Sequence, residues 1–250
     1  MKVLEVKNVV KFLAKKLVLD KVSFSVDSWE VYWFLWPNGA GKTTMMKCIM
    51  WLIKQEDGDI YIFWKKWLSV ESKKDIWFMP ENTYLYKHLT WKEFLKFNWV
   101  FFWLKGTELD ENVQNLLKKV WLGESWDKYL RNYSKWMLQR IWLAQAIINN
   151  PKLLFLDEPM SGLDPIWRKM VKDLILELKN KGTTILFNTH ILADVESICD
   201  RVSIIHEWKI IIKWQKVSEI KWTLEDFFIK KVGKSNNKNY MGVIKSKNTE

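Results

Sequence analysis

Short apolar runs separated by helix-patterned stretches recur along most of the chain, and that alternation marks an α/β domain with parallel strands. The stretches 4–9 and 18–26 read as antiparallel strands. A five-residue apolar run at 31–35 feeds a loop and then a helix from Lys42. Over roughly 91–148 the apolar positions take helical spacing, as in KEFLKF and VQNLLKKV, which predicts a helical insert. Two further buried strands are expected, 153–156 ending in two carboxylates and 183–187 running towards His190. The runs 202–205 and 210–212 flank a tight turn, as a β-hairpin would. There is no internal repeat and no heptad pattern.

No apolar run approaches the roughly 20 residues that span a bilayer; the longest, 99–104, is far too short. The N-terminus, MKVLEVKNVVKFLAKK, alternates charge with short apolar pieces and does not read as a signal peptide. The expectation is therefore a cytoplasmic protein. At 250 residues, 48% hydrophobic and 28% charged, the chain has the size and balance of a globular domain with a substantial core. A net charge of +11 suits anionic partners such as nucleotides, nucleic acid or the inner face of a membrane, without choosing among them. Part of it lies in a Lys-, Asn- and Ser-rich C-terminus, and 231–250 is expected to be a poorly ordered tail. Cys48 and Cys199 fit no metal spacing and read as buried or neutral thiols in a reducing compartment.

The strongest chemical signal is WPNGAGKTT, residues 36–44 (Trp36, Pro37, Asn38, Gly39, Ala40, Gly41, Lys42, Thr43 and Thr44). From Gly39 onward it matches a phosphate-binding loop, and position 36 is where that motif begins with glycine. Loop and helix N–H groups would point at phosphate oxygens, and the glycines let the backbone approach closely. Lys42 would reach the β- and γ-phosphates and the Thr43 hydroxyl would ligate Mg²⁺. A chance Gly/Lys turn is the bland alternative; a strand before and a helix after weigh against it. The second signal is KLLFLDEP, 152–159, where Asp157 and Glu158 emerge at the end of an apolar strand. Two such carboxylates can simply begin a loop, but beside Lys42 they read as a metal-holding acid and a residue that polarises the attacking water.

Here the chain resembles the ABC ATPase family, over residues of about 1–230. NYSKWMLQRIWLAQAI is similar to the family's signature segment, SGLDP to its D-loop, and the histidine after TTILFNT to its switch histidine. The resemblance implies a phosphate-loop ATPase core with a mainly parallel sheet, an N-terminal antiparallel β subdomain and a helical subdomain near 85–150. It implies ATP and Mg²⁺ as cofactors. Ser134 and position 136 (Trp136) would face the γ-phosphate on the opposite subunit, Asp164 would sit at the dimer interface, and His190 would contact the γ-phosphate and support Glu158. His88 and His206 read as structural. In place of the family's loop glutamine stands Glu81, a Pro-Glu form resembling exporters, which would still contact Mg²⁺ or water. The adenine-stacking register falls at Leu13, beside Phe12.

The function implied is an ATP-hydrolysing transporter subunit on the inner face of the membrane. It would drive a separate transmembrane permease, paired with itself or with a paralogous ATPase. A soluble ATPase acting on nucleic acid or the ribosome is the other class. Only 115 positions separate Lys42 from Asp157, with no coiled coil and a single core, so nucleic acid is not the expected partner.

One number is abnormal: 18 tryptophans against nine glycines. Trp29 and Trp208 fall in tight turns, Trp51 and Trp121 follow helical segments, and all four places commonly demand a left-handed backbone. Trp33, Trp36, Trp77, Trp136 and Trp142 stand where the family often carries glycine. A UGA codon meaning glycine but translated as tryptophan would produce this pattern. Genuine tryptophans would instead imply an impaired or regulatory subunit.

Overall fold

The computed structural model describes residues 1–35, 41–66, 69–81, 86–100, 111, 114–116, 118–122, 128–206 and 209–235. The strands are β1 (Lys2–Leu13), β2 (Lys16–Asp27), β3 (Val31–Leu35), β4 (Asp57–Ile62), β5 (Ile76–Met79), β6 (Leu153–Asp157), β7 (Thr184–Asn188), β8 (Arg201–His206) and β9 (Lys209–Lys216). The helices are α1 (Lys42–Ile49), α2 (Val70–Lys73), α3 (Trp91–Val100), α4 (Lys135–Ile147), α5 (Pro165–Asn180), α6 (Leu192–Ile198) and α7 (Leu224–Ser235). The chain divides into two compact units, Met1–Trp67 with His190–Glu250, and Leu68–Thr189.

In the first unit β1 pairs antiparallel with both β2 and β4. Ala14 and Lys15, at φ 46° and 66°, form the two-residue turn joining β1 to β2, with Leu13 opposite Lys16. Two successive positive φ values match the right-handed twist of the flanking strands. β3 runs parallel to β8, and β8 antiparallel to β9, with His206 opposite Lys209. The expected hairpin is therefore present, while Trp208 in its turn lies outside the described residues. Tyr32 and Trp33 of β3 are fully buried, and the Phe24 and Phe34 rings meet at 4.6 Å. At the start of β3, Arg201 Nε donates to Glu30 Oε2 at 2.6 Å, and the Val31 N–H donates to Asp200 at 2.8 Å. Burial raises the Glu30 carboxyl above its ordinary range, although Arg201 pulls the other way.

The second unit holds three parallel strands, β5, β6 and β7, with Asp157 directly opposite Asn188. Every residue of β6 and β7 is buried, which is why both read as continuous apolar runs rather than alternating ones. α5 starts at Asp164, whose carboxylate accepts from the Ile166 and Trp167 N–H groups at 3.0 Å, with Pro165 in the first turn. It buries Val171, Leu174, Ile175 and Leu178, the i, i+3, i+4, i+7 stripe, each contributing about 1.5–3 kcal/mol. α3 opens with a capping box: Thr90 Oγ1 accepts from the Glu93 N–H, and Glu93 accepts from the Thr90 N–H at 2.7 Å. Gln145 of α4 donates to Asn98 of α3 at 2.7 Å.

Two strands, β4 and β5, lie outside the runs that patterning singles out. α7 continues to Ser235, past the expected start of the tail at 231; residues 236–250 lie outside the described residues.

Candidate functional site

The expected site residues fall into two groups, one in each unit. In the first, Gly41 caps the N-terminus of α1 at φ 94°. A Cβ there would sit 2.7 Å from the Val18 carbonyl oxygen and 2.8 Å from Val18 Cγ1, so the backbone packs on β2 as only glycine allows. The first turn of α1 carries no acidic side chain, so no carboxylate of its own opposes an anion at the positive end of the helix. Lys42 and Thr43 follow on that turn, Thr43 exposed, while Thr44 is buried beneath. Trp36, Pro37, Asn38, Gly39 and Ala40 lie outside the described residues. At the end of the β1–β2 hairpin Phe12 and Leu13 are both close to half exposed, available to stack on a planar ligand. His190, exposed, follows directly on Thr189.

The second group is built on the ends of β6 and β7. Asp157 closes β6, buried, and accepts from the Asn188 side-chain amide at 2.9 Å. Glu158 is also buried and held at φ 51°, a left-handed backbone that is strained for a glutamate. Its N–H donates to the Asn188 carbonyl at 2.8 Å, and its Oε2 accepts from Thr189 Oγ1 at 3.3 Å. The Gln139 amide of α4 donates to the carbonyl oxygens of Glu158 and Pro159 at 3.3 and 3.2 Å. Asn188, Thr189 and Gln139 are the functional neighbours that sequence reading missed. The signal was there for two of them, since Asn188 and Thr189 are the polar end of an apolar strand.

Ser134 caps α4, its Oγ accepting from the Met137 N–H at 3.4 Å. Trp136, on the first turn, is 41% exposed. Its ring stacks on Trp167, with 6.0 Å between centroids, and the Arg140 guanidinium lies over it at 4.5 Å. Burial draws Arg140 down to about 10, opposed by the charge of Asp164. Asp164 itself serves the N-terminus of α5. Glu81 is exposed two residues beyond β5.

Among the described residues no group of three or more His, Cys, Asp or Glu side chains could enclose a metal. Mg²⁺ is commonly held by one or two carboxylates, water and substrate phosphates rather than by a protein cage. The hydroxyl of Thr43 and the carboxylate of Asp157 are the hard oxygen donors it takes.

A glycine-capped helix N-terminus and paired carboxylates closing a buried parallel strand define a nucleotide-binding α/β domain of the phosphate-loop class. Comparison with known proteins narrows the class. A family model described as ABC transporter matches residues 19–161. An uncharacterized ABC transporter ATP-binding protein of Synechocystis is 42% identical over 195 residues, 77% of this chain and 55% of its own length. The lantibiotic transport ATP-binding protein SrtF of Streptococcus pyogenes is 35% identical over 84% of this chain and 90% of its own. A solved structure of an ATP-binding subunit of an ABC transporter superposes with a TM-score of 0.84 at 28% identity, covering 92% of this chain and 99% of that one. The chain belongs to the ABC transporter family. It spans little more than half the length of the cyanobacterial relatives it matches.

Proposed function

We propose that the chain is the ATP-hydrolysing subunit of an ABC transporter, working through a separate membrane permease. The observation that carries this reading is the Asp157–Glu158 pair, buried at a strand end and fixed by Asn188 and Thr189. No helix among the described residues is long and apolar enough to cross a membrane. The place of action would be the cytoplasmic face of the membrane.

Lys42 and the α1 N–H groups would bind the β- and γ-phosphates, and Phe12 or Leu13 would cover the adenine. Thr43 and Asp157 would hold Mg²⁺, which supplies charge neutralisation between the phosphates. Glu158 would orient and polarise the attacking water, with His190 beside the γ-phosphate. Phosphoryl transfer of this kind is driven mainly by positioning and charge stabilisation. Ser134 and the N-terminus of α4 would complete the site of a second ATPase subunit, head to tail, with Asp164 at that interface. Glu81 would relay the nucleotide state to the permease. The Pro-Glu form of the loop resembles that of exporters.

The test is Glu158→Gln in protein made by the cells that carry the gene. ATP binding should persist while turnover falls by about 10²-fold or more. Full turnover in this variant would overturn the assignment of Glu158, and absence of ATP binding in the unaltered protein would overturn the reading as a whole.

A further inference from the structure

We infer that the native polypeptide carries glycine where this sequence has tryptophan, its gene's UGA codons being decoded as glycine. The argument starts from backbone geometry. Trp29, Trp51, Trp64 and Trp121 have φ of 64°, 53°, 62° and 55°. In that region the Cβ of an L-residue crowds the following carbonyl oxygen, and only glycine, or at times asparagine and aspartate, adopts it routinely. Among the described residues tryptophan supplies as many such positions as glycine does, four each, while asparagine and lysine supply two each and alanine, phenylalanine and glutamate one each. Tryptophan is 18 of 250 residues, so frequency alone does not put it there.

Three of these positions show why glycine belongs there. After α1 the Leu52 N–H donates to the Lys47 carbonyl at 2.8 Å and the Trp51 N–H to the Cys48 carbonyl at 3.0 Å. That reciprocal pair is the helix-ending motif whose left-handed residue is usually glycine, and Trp51 occupies it. Phe63 and Trp64 form a two-residue turn closed by Ile62 and Lys65, each N–H donating to the other's carbonyl at 3.0 Å. Such a turn needs two positive φ values and favours glycine second. Trp29 turns the chain between β2 and β3 and is 67% exposed, packing little of its apolar area.

Other tryptophans show the opposite fault. The indole N–H groups of Trp91 and Trp142 are buried with no hydrogen-bond partner among the described residues. Arg140's guanidinium carbon lies 3.0 Å from the centre of the Trp167 ring, inside the roughly 3.5–4.0 Å at which carbon atoms rest against one another. Two of that guanidinium's nitrogens, Nε and Nη2, are likewise buried and unpartnered. Tryptophan is thus strained at turns and crowded within the fold, as expected of a side chain the backbone was not selected to hold. The 18 tryptophans and nine glycines together come to 27 of 250 residues, an unremarkable share for glycine. The same substitution would place glycine at 36, where the phosphate-loop motif begins with glycine, and at 136, baring the first turn of α4.

The test is mass spectrometry of the protein isolated from the cells that carry its gene, on peptides spanning positions 29, 51, 64 and 121. The glycine residue mass at all four is the expected result. Tryptophan at any of the four overturns the inference. Ultraviolet absorbance gives a second readout: the native protein should show tyrosine absorption without the indole band, and an indole band of the strength that 18 tryptophans give would overturn it equally. Neither readout involves nucleotide, so the ATPase reading stands or falls separately.

Discussion

The Asn188 side-chain amide donates a 2.9 Å hydrogen bond to Asp157 Oδ1, tying together the ends of two neighbouring parallel strands 31 positions apart in sequence. A buried carboxylate robbed of a donor loses more than the bond itself, because it stays desolvated. Asn188→Leu should therefore destabilise the protein by about 1–3 kcal/mol. Thermal unfolding reads this directly, and an unchanged Tm would count against the bond as a structural tie.

Asp164 has two candidate roles that one pair of variants separates. Asp164→Ala removes the cap of α5 and should cost about 1 kcal/mol, whereas Asp164→Asn should keep the cap. If the carboxylate also acts at a dimer interface, the asparagine variant will regain its Tm but not its ATPase rate. Full recovery of both would leave Asp164 as a capping residue alone.

Burial pushes the Cys48 thiol up to about 11, above the roughly 8.5 of a free thiol in the unfolded chain. Between those values the unfolded state has lost the proton that the folded state keeps. The stability contributed by this group is thus full below about 8.5 and declines as pH rises towards 11. Unfolding at pH 7 and pH 10 should show that loss, and alkylation of Cys48 in the native protein at pH 8 should be far slower than after unfolding.

Recombinant protein made with literal tryptophans offers a direct look at the strained turns. Trp51→Gly should raise stability by at least about 1 kcal/mol, since the left-handed penalty disappears at a position whose hydrogen bonds are unchanged. Trp222→Gly, where φ is not positive and Lys230 lies 3.8 Å over the ring, should give no gain. Equal shifts in the two variants would show that the backbone is not the cause.

Much of this was legible in the chain. LLFLD announces a strand buried on both faces because both faces demand apolar side chains, and Gly41 before Lys42 announces a backbone brought close to an anion. The turn positions of Trp29, Trp51 and Trp121 were readable because helix ends and tight turns impose φ locally. β4 escaped notice because DGDIYI starts with two aspartates around Gly58 and its register against β1 shifts between Lys7 and Val10. β5 is only four residues long, too short for a period to stand out. The roles of Asn188 and Thr189 depend on which strand lies beside β6 and in what register. That pairing is non-local, and no window of sequence contains it.

The contact between Gly41 and Val18 bears on heredity as well as on shape. The atom nearest an added methyl is the carbonyl oxygen of residue 18, which every amino acid possesses. No second-site change at 18 can make room by trimming its side chain, so a Gly41→Ala lesion should have no suppressor there. Position 41 is then closed to any residue with a Cβ, whatever side chain stands at 18.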